Sequence, residues 1–315
     1  MKVLITGAAG FIGAAVLHEM LSRGHRVIAL VRSAAPPGWL QLANLEIMRV
    51  DLRKRALLNL KEKSIDVVLH LAAATQGSAT RQFDDTVTGS LNLLSAARDA
   101  GIRRIVGISS IAVVDCQSLR PLTVIDETVA IADDAGVSDY AAAKIRQERL
   151  FCDFAREDGN SCTILRPGLA YDQTRITPGH AGLVRAHIGL LASHPGEVPT
   201  IEVHRLAAAI AKAAEKNLDG CDVIHLVDDH LPSQSAYIAA LRRRGLLPTA
   251  TLVIPWRALQ AAVWLAALTL RQTGLKARMP EVLLPKTFAT RLKPFRFSNA
   301  KAKRLLDWVP GQQFA

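Results

Sequence analysis

Residues 2–13 read Lys-Val-Leu-Ile-Thr-Gly-Ala-Ala-Gly-Phe-Ile-Gly. Val3, Leu4 and Ile5 make a short apolar run with β-branched members, which Thr6 and Gly7 close. From Gly10 the periodicity turns helical, with Phe11, Ile12, Val16, Leu17, Met20 and Leu21 near one face. The stretch therefore predicts a buried strand, a glycine turn and a helix N-terminus. Gly7 allows a tight backbone bend, Gly10 a close approach of main chain to an anion, and Gly13 close packing of helix on strand. The free N–H groups and positive end of such a helix favour a pyrophosphate.

Around this turn lies a chain of 315 residues with 50% hydrophobic content, enough for a sizeable core and incompatible with a disordered polypeptide. Met1-Lys2-Val3 enters the first strand directly, which leaves no room for a signal peptide and predicts a cytoplasmic protein. Cys116, Cys152, Cys162 and Cys221 have no paired metal-ligand spacing; they read as scattered, reduced thiols, and no metal site is expected. A formal net charge of +11 admits polyanions, anionic lipid or phosphorylated substrates. No nucleic-acid-binding motif accompanies it, so the expected partner is an anionic small molecule rather than nucleic acid.

Strand and helix signals alternate from here on. Arg26–Val31 predicts a second strand, followed by Arg32, and no Asp or Glu occurs between Arg26 and Ala43. In a dinucleotide fold a carboxylate after this strand suits the ribose of NAD, whereas Arg suits the 2′-phosphate of NADP, so Arg32 predicts NADP over NAD. Residues 45–50 predict a third strand ending at Asp51-Leu52, and residues 66–74 (Asp-Val-Val-Leu-His-Leu-Ala-Ala-Ala) a fourth, with His70 structural inside it. A helix is expected over 80–100, a strand over 104–109 leading to Ser110, a helix from Tyr140 to about Asp158, and a strand over 162–165 closed by Arg166-Pro167-Gly168. This alternation implies an α/β fold with a doubly wound parallel sheet.

Tyr140 and Lys144 stand i, i+4 on one helix face. A tyrosine with a reference pKa of about 10 shuttles protons poorly at neutral pH, and a neighbouring ammonium is expected to lower it. Tyr140 then exchanges a proton with a carbonyl or alcohol oxygen, Ser110 orients that oxygen, and Lys144 holds the nicotinamide ribose.

The glycine spacing with Phe11-Ile12, the His-Leu-Ala-Ala strand, the Ser-Ser strand end and Tyr-x-x-x-Lys, in this order over residues 1–171, resemble the extended short-chain dehydrogenase/reductases of the NAD-dependent epimerase/dehydratase family. The resemblance implies a Rossmann-type sheet over 1–171, to which 203–228 add a helix and a strand. It implies a smaller, mostly helical substrate lobe from 172–202 and 229–315. It also implies a Ser110–Tyr140–Lys144 triad and cofactor contacts from Gly7, Gly10, Phe11, Ile12, Gly13, Asp51, Leu52, Leu71, Ala72, Ala73 and Pro167. Where relatives carry Asn-Val-x-Gly-Thr, this chain has Thr86-Val87-Thr88-Gly89-Ser90, with Thr86 in place of Asn.

Ile111-Ala112 stands where dehydratases of this branch carry Asp-Glu, which disfavours elimination. The expected function is an NAD(P)-dependent interconversion of secondary alcohol and ketone on a sugar-linked or lipid-linked substrate, with epimerisation through a transient keto intermediate as the alternative. A dinucleotide-sensing or membrane-surface protein without turnover is the alternative of another class. The epimerase arginine for the substrate diphosphate is missing before Val203, where His204 or Arg205 replaces the usual Asp; Arg175 or Arg185 are the substitutes. Residues 172–202 are expected to be Pro/Gly-rich around one short helical stretch. Residues 242–304 are strongly basic, including Arg257, Arg271, Lys276, Arg278 and Arg291. Within them, the helix at 256–272 reads as core of the lobe, with a peripheral contact at the inner membrane surface as the competing reading. A homodimer is expected.

Overall fold

A computed structural model of the protein describes residues 1–272, 281, 284–311 and 314. Lys276 and Arg278 lie outside the described residues, as does the side chain of Arg271. The strands of the main sheet are β1 (Lys2–Thr6), β2 (Arg26–Val31), β3 (Leu45–Arg49), β4 (Val67–His70) and β5 (Arg104–Ile108). After the short β6 (Val124–Ile125) come β7 (Ser161–Pro167), β8 (Leu169–Tyr171), β9 (Gly182–Val184), β10 (Ile188–Ser193), β11 (Thr200–Glu202) and β12 (Cys221–Leu226). The seven-stranded sheet has the order β12-β7-β5-β4-β1-β2-β3 and is parallel throughout. The strand order reverses between β1 and β4, which opens a crevice at their carboxyl ends.

The period of two along β1 sends Val3 and Ile5 into one core and Leu4 into the other. On the first face pack α1 (Phe11–Ser22), through Val16, Leu17 and Met20, and α5 (Val203–Glu215), through Leu206 and Ile210. On the second face pack α3 (Gly89–Asp99), through Leu93 and Leu94, and α4 (Asp139–Ala155), through Phe151 and Phe154. Each such side chain contributes about 1.5–3 kcal/mol relative to exposure. The fold is thus the doubly wound, Rossmann-type sheet that the strand–helix alternation predicts.

The helix expected over 80–100 is interrupted. α2 (Ala79–Phe83) passes through a π-helical turn, Asp84–Thr88, into α3. Within that turn Thr86 Oγ1 accepts the Ala74 N–H at 3.1 Å, and its carbonyl accepts the Ser90 hydroxyl at 2.5 Å. Side-chain competition for backbone groups accompanies the widened turn.

Residues 172–202 correct the expectation of a short helix. They hold β9, β10 and β11 with a single 3₁₀ turn at Pro178–His180. β10 pairs antiparallel with β9 and parallel with β13 (Ala250–Pro255). These strands are too short for a clear period of two, and β13 lies far along the chain, so the sequence shows no local sign of the pairing. The C-terminal part is otherwise helical: α6 (Gln234–Arg243), α7 (Trp256–Gln272), α8 (Pro285–Leu292) and α9 (Ala300–Leu306), with β14 (Arg296–Phe297) on β6.

α7 corrects a second expectation. Trp256, Leu259 and Val263 pack on Phe288 and Leu292, but the opposite face leaves Trp264, Leu265 and Leu268 59%, 64% and 53% exposed. Among the described residues no helix is long and apolar enough to cross a membrane. Three of the four cysteines are not scattered either: Cys152 Sγ lies 2.9 Å from Cys221 Sγ, and Cys221 sits opposite Cys162 in the β12–β7 register, with Cys116 in a separate cluster.

Candidate active site

The glycine turn opens the crevice. Gly7 has φ +68°, and a Cβ there would come within 2.8 Å of the Ala72 backbone. A Cβ on Gly13 would meet the Gly7 carbonyl oxygen at 2.1 Å, so that glycine sets how closely α1 approaches β1. Gly10 caps α1 with no side chain over the helix end. A cleft of about 360 Å³ runs from this turn, lined by Gly7, Gly10, Arg32, Asp51, Leu52, Leu71, Ala72 and Ala73. An open helix N-terminus above a cradle that a Cβ would fill fits a dinucleotide. Phe11 and Ile12 lie beside the cleft and pack in part on the core, Gly13 lies beneath it, and Pro167 ends β7 outside its lining.

At the far end of the cleft stands a charge cluster. Asp85, in the π turn, takes the Arg32 guanidinium at 3.0 Å and lies 3.5 Å from Arg53 and 3.7 Å from Arg81. Arg53 also donates to Asp51 at 2.6 Å and holds that carboxyl down at about 2. Sequence reading missed Arg53, Arg81 and Asp85. Arg53 follows Asp51 by two residues and was legible; Asp85 lies in the π turn and Arg81 one helical turn before it.

Ser110 follows β5, where its Oγ accepts the Ala112 N–H at 3.2 Å. Ser138 caps α4, its Oγ accepting the Ala141 N–H at 3.2 Å, and this places Tyr140 and Lys144 in the opening turns of the helix. Burial pushes the Tyr140 phenol above its ordinary value, while a hydrogen bond with Ser110 and the charge of Arg291 on α8 work against that rise. This corrects the expectation that Lys144 is the cation acting on Tyr140. The Lys144 ammonium donates to Ile108 O and to Gln147 Oε1, each at 2.8 Å, and burial brings it down to about 7. Arg291 is half-buried, feels the charge of Glu281, and has no close ion pair among the described residues. The sequence showed it only as one of many basic residues.

Helix α4 is bolted to the sheet. Glu148 on α4 accepts two hydrogen bonds from Arg166 on β7, at 2.8 and 2.7 Å, and both side chains are buried.

At the start of α5, Arg205 is occupied by Asp228, at 2.7 and 2.8 Å, and by the Tyr171 hydroxyl. Glu202 caps α5, accepting the N–H groups of His204 and Arg205 at 2.9 and 3.0 Å. Arg175 stacks 4.8 Å from the Phe11 ring, beside the glycine turn, and Arg185 is exposed after β9.

The model of the NAD dependent epimerase/dehydratase family matches residues 3–220. The chain is 28% identical over 289 residues to the 4-hydroxy-2-methyl-3-oxo-4-farnesyl-3,4-dihydroquinoline-1-oxide ketoreductase of Stigmatella aurantiaca, covering 90% of this chain and 85% of that protein. It is 30% identical over 201 residues to the UDP-glucose 4-epimerase of Mycolicibacterium smegmatis, covering 58% of this chain and 61% of that protein. The structure of MoeE5 in complex with UDP-glucuronic acid and NAD superposes with a TM-score of 0.70 at 20% identity, covering 99% of this chain and 95% of that one.

Proposed function

The chain belongs to the NAD dependent epimerase/dehydratase family, and from that premise we propose that it interconverts a secondary alcohol and a ketone on an anionic, lipid-linked or sugar-linked substrate. The observation that supports this reading is the glycine-turn cleft together with Tyr140 and Lys144 one turn apart at the start of α4, Lys144 bonded to Ile108 O at the end of the strand that leads to Ser110. The nicotinamide, when bound, gives or accepts the hydride. Tyr140 hands its proton to the ketone oxygen in reduction and takes it back in oxidation, while Ser110 holds that oxygen. Lys144 binds the cofactor ribose. Arg291 steadies the phenolate and pairs with an anionic group of the substrate.

Ketone reduction is favoured over sugar-nucleotide epimerisation by two observations. The ketoreductase likeness runs over nine-tenths of the chain, whereas the epimerase likeness covers 58% of it. No arginine stands between Arg185 and Val203, where an epimerase would clamp a diphosphate, and Arg205, in place of the usual Asp, is committed to Asp228.

The cofactor is NADP rather than NAD, with Arg32, Arg53 and Arg81 gathered about Asp85 to receive the 2′-phosphate. A charge-assisted phosphate contact contributes about 1.5–3 kcal/mol, roughly tenfold or more in affinity. Titration should therefore show tighter binding of NADPH than of NADH, and Arg32→Ala should narrow the gap by about that factor. A preference for NADH in the wild-type protein refutes the assignment.

The protein also works at an anionic membrane surface, through α7. Arg257, Ala261, Trp264, Leu265 and Leu268 follow one another along a single helix face, opposite the packed one. Residues 231–272 contain Arg242, Arg243, Arg244, Arg257 and Arg271 and no Asp or Glu. Each cation near such a surface adds about 1 kcal/mol within a Debye length. Anionic vesicles should sediment the protein at low salt and release it as salt rises, with Trp264→Ser weakening the association. Equal failure with anionic and neutral vesicles removes this contact and leaves the lobe as a substrate cap.

A further inference from the structure

Behind Lys144 lies a buried row of polar side chains that the proposed chemistry does not use: Gln147, Ser90, His70 and Thr6, all fully buried. The directions of their hydrogen bonds can be deduced. The single Ser90 proton goes to the Thr86 carbonyl at 2.5 Å. Ser90 Oγ must therefore accept at its two other contacts, from Gln147 Nε2 and from His70 Nε2, both at 2.8 Å. His70 is then the Nε2–H tautomer, and its Nδ1 accepts the Thr6 hydroxyl at 2.6 Å. Thr6 Oγ1 in turn accepts the Ala72 N–H at 3.3 Å. At the other end, Lys144 only donates, so the Gln147 amide must turn its oxygen to Nζ and its NH₂ to Ser90.

This row is not a proton wire, because Ser90 accepts from both sides and an amide does not relay protons. It is a brace. It starts at Ala72 on the floor of the cofactor cleft and ends on the ammonium. We propose that Gln147 is the positioning residue of Lys144, its amide held in one orientation by Ser90, and through Ser90 by His70 and Thr6, so that the ammonium has one direction relative to the cleft. Two of the three ammonium protons are taken by Gln147 Oε1 and Ile108 O, which leaves one for the cofactor. The inference rests on the reading of Lys144 as a cofactor ligand.

The surrounding charges are few. Glu148, on the same helix, is the carboxylate that acts on Lys144 and is itself bound by Arg166 of β7. Tyr140 shares the helix. His70 on β4 and His225 on β12 are both brought down to about 3 by burial and are neutral. The π turn adds Asp84 and Asp85, the latter on Arg32. Against this background, loss of the Gln147 carbonyl removes one of the two acceptors that the buried ammonium has among the described residues. Gln147→Met should discharge Lys144 at lower pH, and Gln147→Glu, which puts a carboxylate in the same place, should keep it charged to higher pH.

The test is NADPH titration as a function of pH. The midpoint at which binding weakens on the alkaline side should move down by about one pH unit in Gln147→Met and up by a similar amount in Gln147→Glu. Ser90→Ala, which frees the amide to turn, should move it down by less. A purely structural role for Gln147 lowers stability in all three variants and moves no midpoint. Lys144→Met separates the two levels of the argument. If it binds NADPH like wild type at every pH, the cofactor role of Lys144 is wrong. If it abolishes the pH dependence while the Gln147 variants leave the midpoint in place, the positioning role alone is overturned.

Discussion

Tyr140→Phe is expected to lower kcat by about 10²–10⁴-fold while NADPH binds as tightly as to the wild-type protein. The substitution removes one oxygen and its proton and keeps the ring that fills the opening turn of α4. The glycine turn and Lys144, the proposed cofactor contacts, are untouched. Because burial raises the phenol pKa, Tyr140 is protonated at neutral pH, the form that ketone reduction needs. Oxidation of the alcohol needs the phenolate, so its rate should climb with pH above neutrality while reduction falls only as the phenol ionises. Ser110 and Arg291 both favour the phenolate. A turnover like that of the wild type in Tyr140→Phe would exclude this proton path.

How much of this was legible depends on how local each signal is. The strand–turn–helix at residues 2–13 is contiguous, and the glycines carry steric demands that only a backbone without Cβ meets: Gly7 against Ala72 and Gly13 against the Gly7 carbonyl. The doubly wound parallel sheet followed from alternation of strand and helix. The Tyr140–Lys144 spacing lies on one helix, so it too was readable. The sequence fell short wherever the site joins distant segments. Asp85 meets Arg32 and Arg53 only because a π turn rotates it toward the cleft, and no periodicity marks that turn. Gln147 meets Ser90 across 57 positions, and it read as an ordinary polar residue in a helix. Arg291 was hidden among other cations and became distinctive only when α8 brought its charge to bear on Tyr140. The exposure of Trp264 was misjudged because α7 is apolar on both faces, and a sequence pattern cannot tell a helix packed on two sides from one packed on a single side.

The second large effect concerns stability. Glu148 and Arg166 are 4% and 5% exposed in their side chains and joined by two hydrogen bonds. Neither ion is stable there without the other. Arg166→Met should therefore cost about 3–5 kcal/mol in denaturant unfolding, because it leaves a carboxylate buried without its partner. Glu148→Leu alone should cost a similar amount, for the mirror reason. The double variant should regain most of the loss, since two apolar side chains of similar size satisfy the same space with no buried charge. Additive losses in the double variant would show that the pair acts through packing and not through charge. Activity separates a second contribution. The pair joins the helix of Tyr140 and Lys144 to the strand that ends at Pro167. If it also fixes where that helix sits, the double variant will fold stably and still turn over more slowly than the wild type. If the doubly apolar contact holds α4 equally well, both stability and turnover return together.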